Sequence, residues 1–384
     1  MNPPPPLALY VHLPWCVQKC PYCDFNSHAL KRDLPADAYV DALLKDLDSE
    51  AVRAGSRPVS SIFFGGGTPS LFPPTAIARL LTETRERLNL AADAEITLEA
   101  NPGTVEQARF EGFREAGVNR LSIGIQSFGT EQLQRLGRIH GAEEALRAAE
   151  AARGAGFDNF NLDLMFGLPE QDLAAAQADL RQAIELAPAH ISYYQLTLEP
   201  NTLFHARPPI LPDEDAVYDM HVAGQALLAQ HGYTQYEVSA YAQAGRYCRH
   251  NLNYWLFGDY LAIGAGAHGK ISNADGIHRY WKVKHPRDYQ QHAGQASVLQ
   301  GEKRLSEKDI VLEFMMNALR LREGFAIPFC EARTGLDWER HFQAPATAAI
   351  DRGLLERVAD IVRPTEVGSL YLNETLELFL SANA

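Results

Sequence analysis

Strand-like apolar runs recur six times along the first half of the chain, roughly thirty residues apart, with amphipathic segments of helix length between them. The runs are Leu7–Leu13, Ser61–Phe64, Glu95–Glu99, Arg120–Ile125, Asn159–Met165 and Ala189–Leu196. The helical segments are Ala36–Ala54, Pro74–Leu88, Val105–Ala116, Glu143–Ala155 and Leu173–Leu186. Gly117 and Gly156 stand where a helix ends on a left-handed residue, and Pro74 opens the second segment. Strands that alternate with helices run parallel, because each helix carries the chain back across the sheet. The expectation is an α/β fold, a barrel or partial barrel, with an open doubly wound sheet as the alternative.

Such folds gather their chemistry at the carboxyl ends of the strands. After the first run comes Cys16-Val17-Gln18-Lys19-Cys20-Pro21-Tyr22-Cys23, which holds three of the five cysteines. Three thiols at CxxxCxxC spacing can grip a metal or cluster from one side. A four-iron cube presents an iron at each of its four metal corners, so three thiolates leave one iron open for a substrate or cofactor. A zinc site completed by His12 or His28, or a chance group of reduced thiols, is the competing reading. Structural zinc usually takes two ligand pairs about a dozen or more residues apart, whereas Cys248 and Cys330 are isolated here.

The other strand ends are also polar or glycine-rich. They carry Gly65-Gly66-Gly67-Thr68-Pro69, then Glu99-Ala100-Asn101-Pro102, then Gly124-Ile125-Gln126-Ser127-Phe128. Asp163 precedes Gly167-Leu168-Pro169, and Gln195 and Glu199 close the series. Taken singly, each is ordinary loop or surface polarity. Together they make a site. The glycines let backbone approach a ligand closely. Glu99 and Asp163 suit an ammonium group or ribose hydroxyls, and Gln126 and Gln195 offer paired donors and acceptors. An amine, a carboxylate and a ribose beside an open iron describe S-adenosylmethionine.

Composition narrows the function. The net charge is −13, from 35 basic and 48 acidic residues, which disfavours nucleic acid as a partner. An odd number of cysteines, three in one loop, argues against a disulfide framework and fits a cytoplasmic, reducing setting. No apolar run reaches the length of about 18 residues needed to span a membrane. Met1 to Pro6 is a proline-rich lead without a signal-peptide core.

The cysteine spacing, the Gly-Gly-Gly-Thr-Pro loop and Glu-x-Asn-Pro resemble the radical S-adenosylmethionine superfamily. Tyr10-Val11-His12-Leu13-Pro14-Trp15-Cys16, Arg120–Phe128 and Asn161-Leu162-Asp163-Leu164-Met165-Phe166-Gly167-Leu168-Pro169 resemble its coproporphyrinogen dehydrogenase (HemN-like) branch. The resemblance covers nearly the whole chain. It implies a partial (βα)6 barrel with a smaller, mostly helical, winged-helix-like C-terminal domain. It also implies a 4Fe-4S cluster on Cys16, Cys20 and Cys23. S-adenosylmethionine would be surrounded by Tyr10, Tyr22, Gly66, Gly67, Thr68, Glu99, Gln126, Arg138 and Asp163. Arg138 lies in Leu136-Gly137-Arg138, which carries little signal by itself. One departure separates this chain from the dehydrogenases. They carry a further cysteine two residues after the third, and here that position is Phe25. Cys23-Asp24-Phe25-Asn26-Ser27-His28 is similar instead to the haem chaperone HemW subgroup.

Past the barrel, Pro212–Gln230 reads as a helix with Asp213, Glu214 and Asp215 at its positive end. Next comes Tyr247-Cys248-Arg249-His250-Asn251-Leu252-Asn253-Tyr254-Trp255. An exposed histidine among aromatic rings offers an imidazole ligand and flat apolar faces, as haem requires; a packing role for such a histidine is the plainer reading. The resemblance associates His-Asn-x-x-Tyr-Trp with haem handling and so points to His250. Cys248 reads as a buried neutral thiol, with an iron ligand as the alternative. Gly264-Ala265-Gly266-Ala267-His268-Gly269 spells G-x-G-x-x-G, but the turn-rich stretch after it opens no helix, so a dinucleotide site is rejected. The expected divisions are residues 1–235 as core barrel, 236–300 as linking region and 301–384 as C-terminal domain.

In that last domain Ser306 and Asp309 read as a capping box before a helix Glu307–Leu321, with Gly324 past its end. A hairpin is expected around Val358–Leu372 and a final helix from Asn373. Residues 303–384 carry 10 basic and 13 acidic side chains, so docking or lid duty is expected of them, and DNA binding is not.

The subgroup resemblance implies a haem chaperone with three cofactors: 4Fe-4S cluster, S-adenosylmethionine and haem. Its partner would be an apo-haemoprotein acceptor, respiratory and membrane-associated. The alternative is an oxygen-independent coproporphyrinogen III dehydrogenase acting through a 5′-deoxyadenosyl radical. A zinc-stabilised barrel with an unrelated ligand is the third reading. The sequence does not decide between a monomer and a homodimer.

Overall fold

The structure, a computed structural model, describes residues 4–104 and 107–381. Met1 to Pro3 of the proline-rich lead lie outside the described residues, as does Val105, the expected first residue of the third helix.

Six strands run parallel and in sequence order: β1 (Leu7–Leu13), β2 (Val59–Gly66), β3 (Leu90–Ala100), β4 (Arg120–Gln126), β5 (Phe160–Phe166) and β6 (His190–Gln195). The crossovers carry α1 (Ala36–Ala54), α2 (Pro74–Arg87), α3 (Gln107–Ala116), α4 (Ala142–Gly154) and α5 (Leu173–Glu185). Gly117 and Gly156 follow α3 and α4 with φ of +108° and +82°. Each lets the next amide reach back into the helix: Val118 N bonds Phe113 O, and Phe157 N bonds Ala152 O. A short helix, Thr130–Arg135, precedes α4; the sequence reading did not single it out.

Both sheet faces are covered, so β1 is buried almost throughout, from Leu7 to Leu13. The helices cover the outer face. The inner face carries polar side chains at every second position, among them Glu95, Thr97 and Glu99 on β3, and Asn161 and Asp163 on β5.

After β6 the chain forms α6 (Glu214–Gln230), capped by Asp213, whose carboxylate accepts from Ala216 N at 2.8 Å. Then β7 (Thr234–Glu237) and β8 (Ala240–Ala242) extend the sheet, β8 pairing antiparallel with β6 and β7 antiparallel with β8. After α7 (Arg249–Trp255), β9 (Asp259–Ile263) returns to pair parallel with β1 on its other side. An antiparallel ladder of β10 (His268–Asn273), β11 (Gly276–Lys282) and β12 (Leu299–Arg304) continues from it. The twelve strands lie in the order β12-β11-β10-β9-β1-β2-β3-β4-β5-β6-β8-β7, an unclosed barrel. The stretch 236–300, expected as a linking region, thus supplies strands at both flanks of the main sheet. Gly264–Gly269 leads into β10 and not into a helix.

The C-terminal unit has its own core, built on Phe314, Phe325, Trp338 and Phe342. Its first helix, α8 (Glu307–Ala318), carries the expected capping box: Asp309 N donates to Ser306 Oγ at 3.2 Å and Ser306 N to Asp309 Oδ2 at 2.9 Å. The hairpin lies earlier than expected, at Leu355–Val358 and Ile361–Pro364, with Phe325–Ala326 as a third strand. The final helix spans Leu372–Ser381. Among the described residues no helix is long and apolar enough to cross a membrane.

The late ladder is fastened to α1 by a buried ionic group. Lys282 Nζ lies 2.6 Å from Asp46 Oδ1 and 2.7 Å from Glu50 Oε1, with Tyr280 and Tyr289 hydroxyls donating to the same carboxylates. All three charged side chains are at most 1% exposed. Removing the cation would leave two carboxylates buried together. Lys282→Met is therefore expected to destabilise the protein by about 3–5 kcal/mol, measured by denaturant unfolding; a change below about 1 kcal/mol would mean the group is not sealed from water.

Candidate functional site

A cavity of about 710 Å³ opens at β1, β2 and β3, with Tyr10, Gly66 and Glu99 in its wall. The loop after β2 is clasped to the root of the cysteine loop. Gly67 N bonds Leu13 O at 2.8 Å, and Thr68 N bonds Trp15 O at 2.7 Å. No side chain fits in this clasp. A Cβ on Gly67 would stand 2.5 Å from Trp15 O, and one on Gly66, at φ +113°, would stand 2.5 Å from the His12 ring.

The cysteine loop is tied back at both ends. His28 N bonds Pro14 O at 2.7 Å and Leu30 N bonds Cys16 O at 2.9 Å. Asn26 Nδ2 donates to Ala265 O and Lys284 O, both at 2.9 Å, which fixes the loop to the late strands. Donors surround the thiols. Arg138 Nη1 lies 3.5 Å from Cys20 Sγ and from the Tyr22 hydroxyl, while its Nη2 donates to Gly124 O at 2.7 Å. The Ser27 hydroxyl is 3.7 Å from Cys23 Sγ. Burial pushes the Cys16 and Cys23 thiols up, and nearby hydroxyls, Thr68 and Ser27 for Cys16 and Ser27 for Cys23, pull the other way.

Deeper in the barrel, Glu99 Oε2 accepts from Gly66 N at 3.1 Å. Its carboxyl is pushed up to about 8, first by burial and then by the charge of Asp163. Asp163 accepts from Asn161 Nδ2 at 2.7 Å and from Ser122 Oγ at 3.2 Å; burial raises it too, and Arg120 opposes the rise. Gln126 sits at φ +71°, and its Oε1 accepts from the Tyr194 hydroxyl at 2.7 Å. The Tyr10 hydroxyl bonds His12 Nδ1 at 3.0 Å, and His12 Nε2 bonds Asn26 O at 2.9 Å.

Residues 10–183 match the Radical SAM superfamily, and residues 305–371 match the HemN C-terminal domain. The chain is 56% identical to a protein named heme chaperone HemW from Escherichia coli (strain K12), over 98% of this chain and 99% of that one. It belongs to the HemW family of the radical SAM superfamily. HemW of Haemophilus influenzae is 53% identical over 98% of both chains, and that of Bacillus subtilis 32% identical over 97% of this chain and 99% of its own. Among solved structures, coproporphyrinogen III oxidase (HemN) from Escherichia coli, described as a radical SAM enzyme, superposes with a TM-score of 0.83. It is 26% identical, and the match covers 98% of this chain and 90% of that one.

The donor set fits the group that the radical SAM family implies. Among the described residues, no three His, Cys, Asp or Glu side chains converge on a point that one metal ion could occupy. Thiolates that bind separate iron corners of a cube need not converge. His12, a candidate fourth ligand for zinc, has both ring nitrogens bonded.

Two expectations for this HemW-family chain are corrected. His250 is not exposed. It is 1% accessible, with Nδ1 3.0 Å from Ser61 Oγ and Nε2 2.9 Å from the Tyr254 hydroxyl. Burial, then Arg120, pushes its imidazole down to about 3, so it is neutral at pH 7. Gln195 does not face the cavity. Ser192 and Tyr194 point inward to Asn161 and Gln126, so strand alternation turns Gln195 outward. Cys248 is the buried thiol expected, at 3.6 Å from Glu95. Sequence reasoning missed Asn161, Ser122 and Tyr194. The first could have been found from its place two residues before Asp163, on the same strand face.

Gly66→Ala is expected to lower stability by about 1–3 kcal/mol through strain and the clash with His12. It should also lower iron retention after anaerobic reconstitution. A variant with unchanged melting temperature and iron content would show that the clasp tolerates a Cβ.

Proposed function

We propose that this protein is a haem chaperone that binds haem and transfers it to apo-haemoproteins. In this reading Cys16, Cys20 and Cys23 hold a 4Fe-4S cluster, and S-adenosylmethionine binds at the strand ends. The relation that supports it most is the 56% identity, along the whole chain, to a protein named a heme chaperone. The local feature on its side is Phe25. It is 59% exposed at the cavity wall, where the dehydrogenases would carry a fourth nearby cysteine. The acceptor in this reading is a respiratory, membrane-associated haemoprotein. Anaerobic haem titration of the reconstituted protein, followed at the Soret band, tests the reading. About one tightly bound haem per chain is expected, and the absence of specific binding would overturn it.

A bound cluster with an open iron supplies electrons and a coordination site for the sulfonium cofactor. The chain's own residues do the holding. Arg138 places positive charge beside Cys20. Tyr10, Tyr22, Gly66, Gly67, Thr68, Gln126 and Asp163 would complete the cofactor's surroundings. Glu99 would take the cofactor's ammonium group, giving its buried carboxylate the cation it lacks.

The superposition on coproporphyrinogen III oxidase favours a second reading, oxidative decarboxylation of coproporphyrinogen III. Product analysis under anaerobic conditions separates the two. No conversion is expected, and clear conversion would sink a chaperone-only role.

Two further outcomes are expected. Replacing any one of Cys16, Cys20 or Cys23 by Ala should leave far less than the about four iron and four sulfide per chain of the reconstituted wild type. Full reconstitution of the triple variant would overturn the ligand assignment. Cofactor binding should also depend on pH through Glu99. Below about 8 the free carboxyl is mostly protonated and must lose its proton to meet an ammonium group. Affinity should therefore rise with pH from about 6 to 7.5, by up to tenfold per unit, while the ligand's own amine stays charged. Glu99→Gln should flatten this slope in calorimetry; a wild type with pH-independent affinity would remove Glu99 from the site.

A further inference from the structure

The wall of this cavity carries more than the glycine and acidic groups of the strand ends. Phe25, Tyr254, Trp255 and Tyr260 supply aromatic surface there, and Lys19 and Lys284 supply positive charge, with Asp24 opposite in sign. A flat macrocycle with two carboxylate arms matches walls of this kind: rings for its faces and cations for its arms. The cations matter in a chain of net charge −13, whose overall field repels such a ligand.

Three histidines line this cavity: His12, His28 and His268. His12 is spent on Tyr10 and Asn26. His28 lies edge-on to His285 at 5.6 Å and faces the backbone of Lys284; its Nε2 has no hydrogen-bond partner but is sealed from solvent. His268 is exposed, and neither of its ring nitrogens has a hydrogen-bond partner among the described residues. Its ring is steadied from one side by Trp281, stacked at 6.2 Å and 20°. His268 opens β10, and the turn that leads into it is pinned. Ala265 N bonds the Tyr39 hydroxyl at 2.8 Å, Gly264 N bonds the Tyr289 hydroxyl at 3.0 Å, and Ala265 O accepts from Asn26. A free imidazole on a fixed loop at an aromatic-walled opening is a preorganised iron ligand.

We propose that His268 ligates the iron of haem seated at the mouth of this cavity, with Lys19 and Lys284 facing the propionates. The proposal rests on the haem-binding reading above. It also gives the His-Asn-x-x-Tyr-Trp segment a different duty. His250 does not reach iron. It bridges Ser61 and Tyr254, and so holds Tyr254 in the aromatic wall, where Tyr254 meets Tyr260 edge-on at 4.5 Å. His250 is a positioning residue.

The test is anaerobic haem titration of the full-length, cluster-reconstituted wild type, His268→Ala, His250→Ala and Lys284→Gln, with Soret and resonance Raman spectra. His268→Ala should bind at least about tenfold more weakly with a changed axial-ligand signature, and added imidazole should restore the wild-type spectrum. His250→Ala should melt earlier yet keep the wild-type ligand signature. Lys284→Gln should weaken binding and reduce its dependence on salt. If the wild type binds haem and His268→Ala matches it in affinity and spectrum, the inference is overturned while the chaperone reading stands. If imidazole rescues His250→Ala but not His268→Ala, the ligand is His250 and the inference is overturned. If the wild type binds no haem, the chaperone reading itself fails.

Discussion

Backbone meeting backbone between the ends of β1 and β2 is the contact on which the rest of the site depends. Leu13 and Trp15 offer carbonyls, and Gly67 and Thr68 offer amides, at 2.7–2.8 Å. At Gly66 and Gly67 this approach leaves no room for a Cβ, which is why glycines stand together at the end of a buried strand. The clasp sets the direction in which the chain leaves β1, and with it where Cys16 begins its loop. It also turns the Gly66 amide toward Glu99. One short contact therefore fixes the thiols, the glycine loop and the acidic floor relative to one another.

The parallel core was legible because buried parallel strands are nearly continuous apolar runs, and Gly117 and Gly156 mark the ends of two of the helices between them. Leu7–Leu13 and Ala36–Ala54 agree with the structure to the residue. The site residues on strand ends were legible for the same reason. What the sequence hid has physical causes. The late strands β10 to β12 mix Lys, Arg, Glu and His into their pattern, so no apolar run announces them. The ionic group of Lys282, Asp46 and Glu50 joins residues more than two hundred positions apart, and no local rule pairs them. Gln195 was chosen over Tyr194 by chemical type, when alternation along β6 decides which of the two faces inward. The His250 motif showed an imidazole among aromatic rings, but nothing in its local pattern says that Ser61, from β2, closes over it.

The electrostatics around the cavity are opposed from one part to another. Burial raises both Glu99 and Asp163, Asp163 raises Glu99 further, and Arg120 counters only Asp163. That leaves Glu99 short of a cation, the condition that favours a ligand bearing a positive charge. Elsewhere in the wall, Lys19, Lys284 and the rings of Phe25, Tyr254, Trp255 and Tyr260 make the reverse environment.

These two regions share a scaffold. Tyr254, in the wall, bonds His250; the amide of His250 donates to Glu95, which also receives Cys248 Sγ. The amide of Cys248 donates to the Tyr236 hydroxyl, which bonds His190, which bonds Asn161, which holds Asp163 on the floor. Each member of this chain is buried or nearly so, and a buried polar group that loses its partner carries the full desolvation penalty. Such a network favours one arrangement over many. Its geometry gives His250, with both ring nitrogens occupied, a structural duty: it sets the position of Tyr254 relative to Asp163.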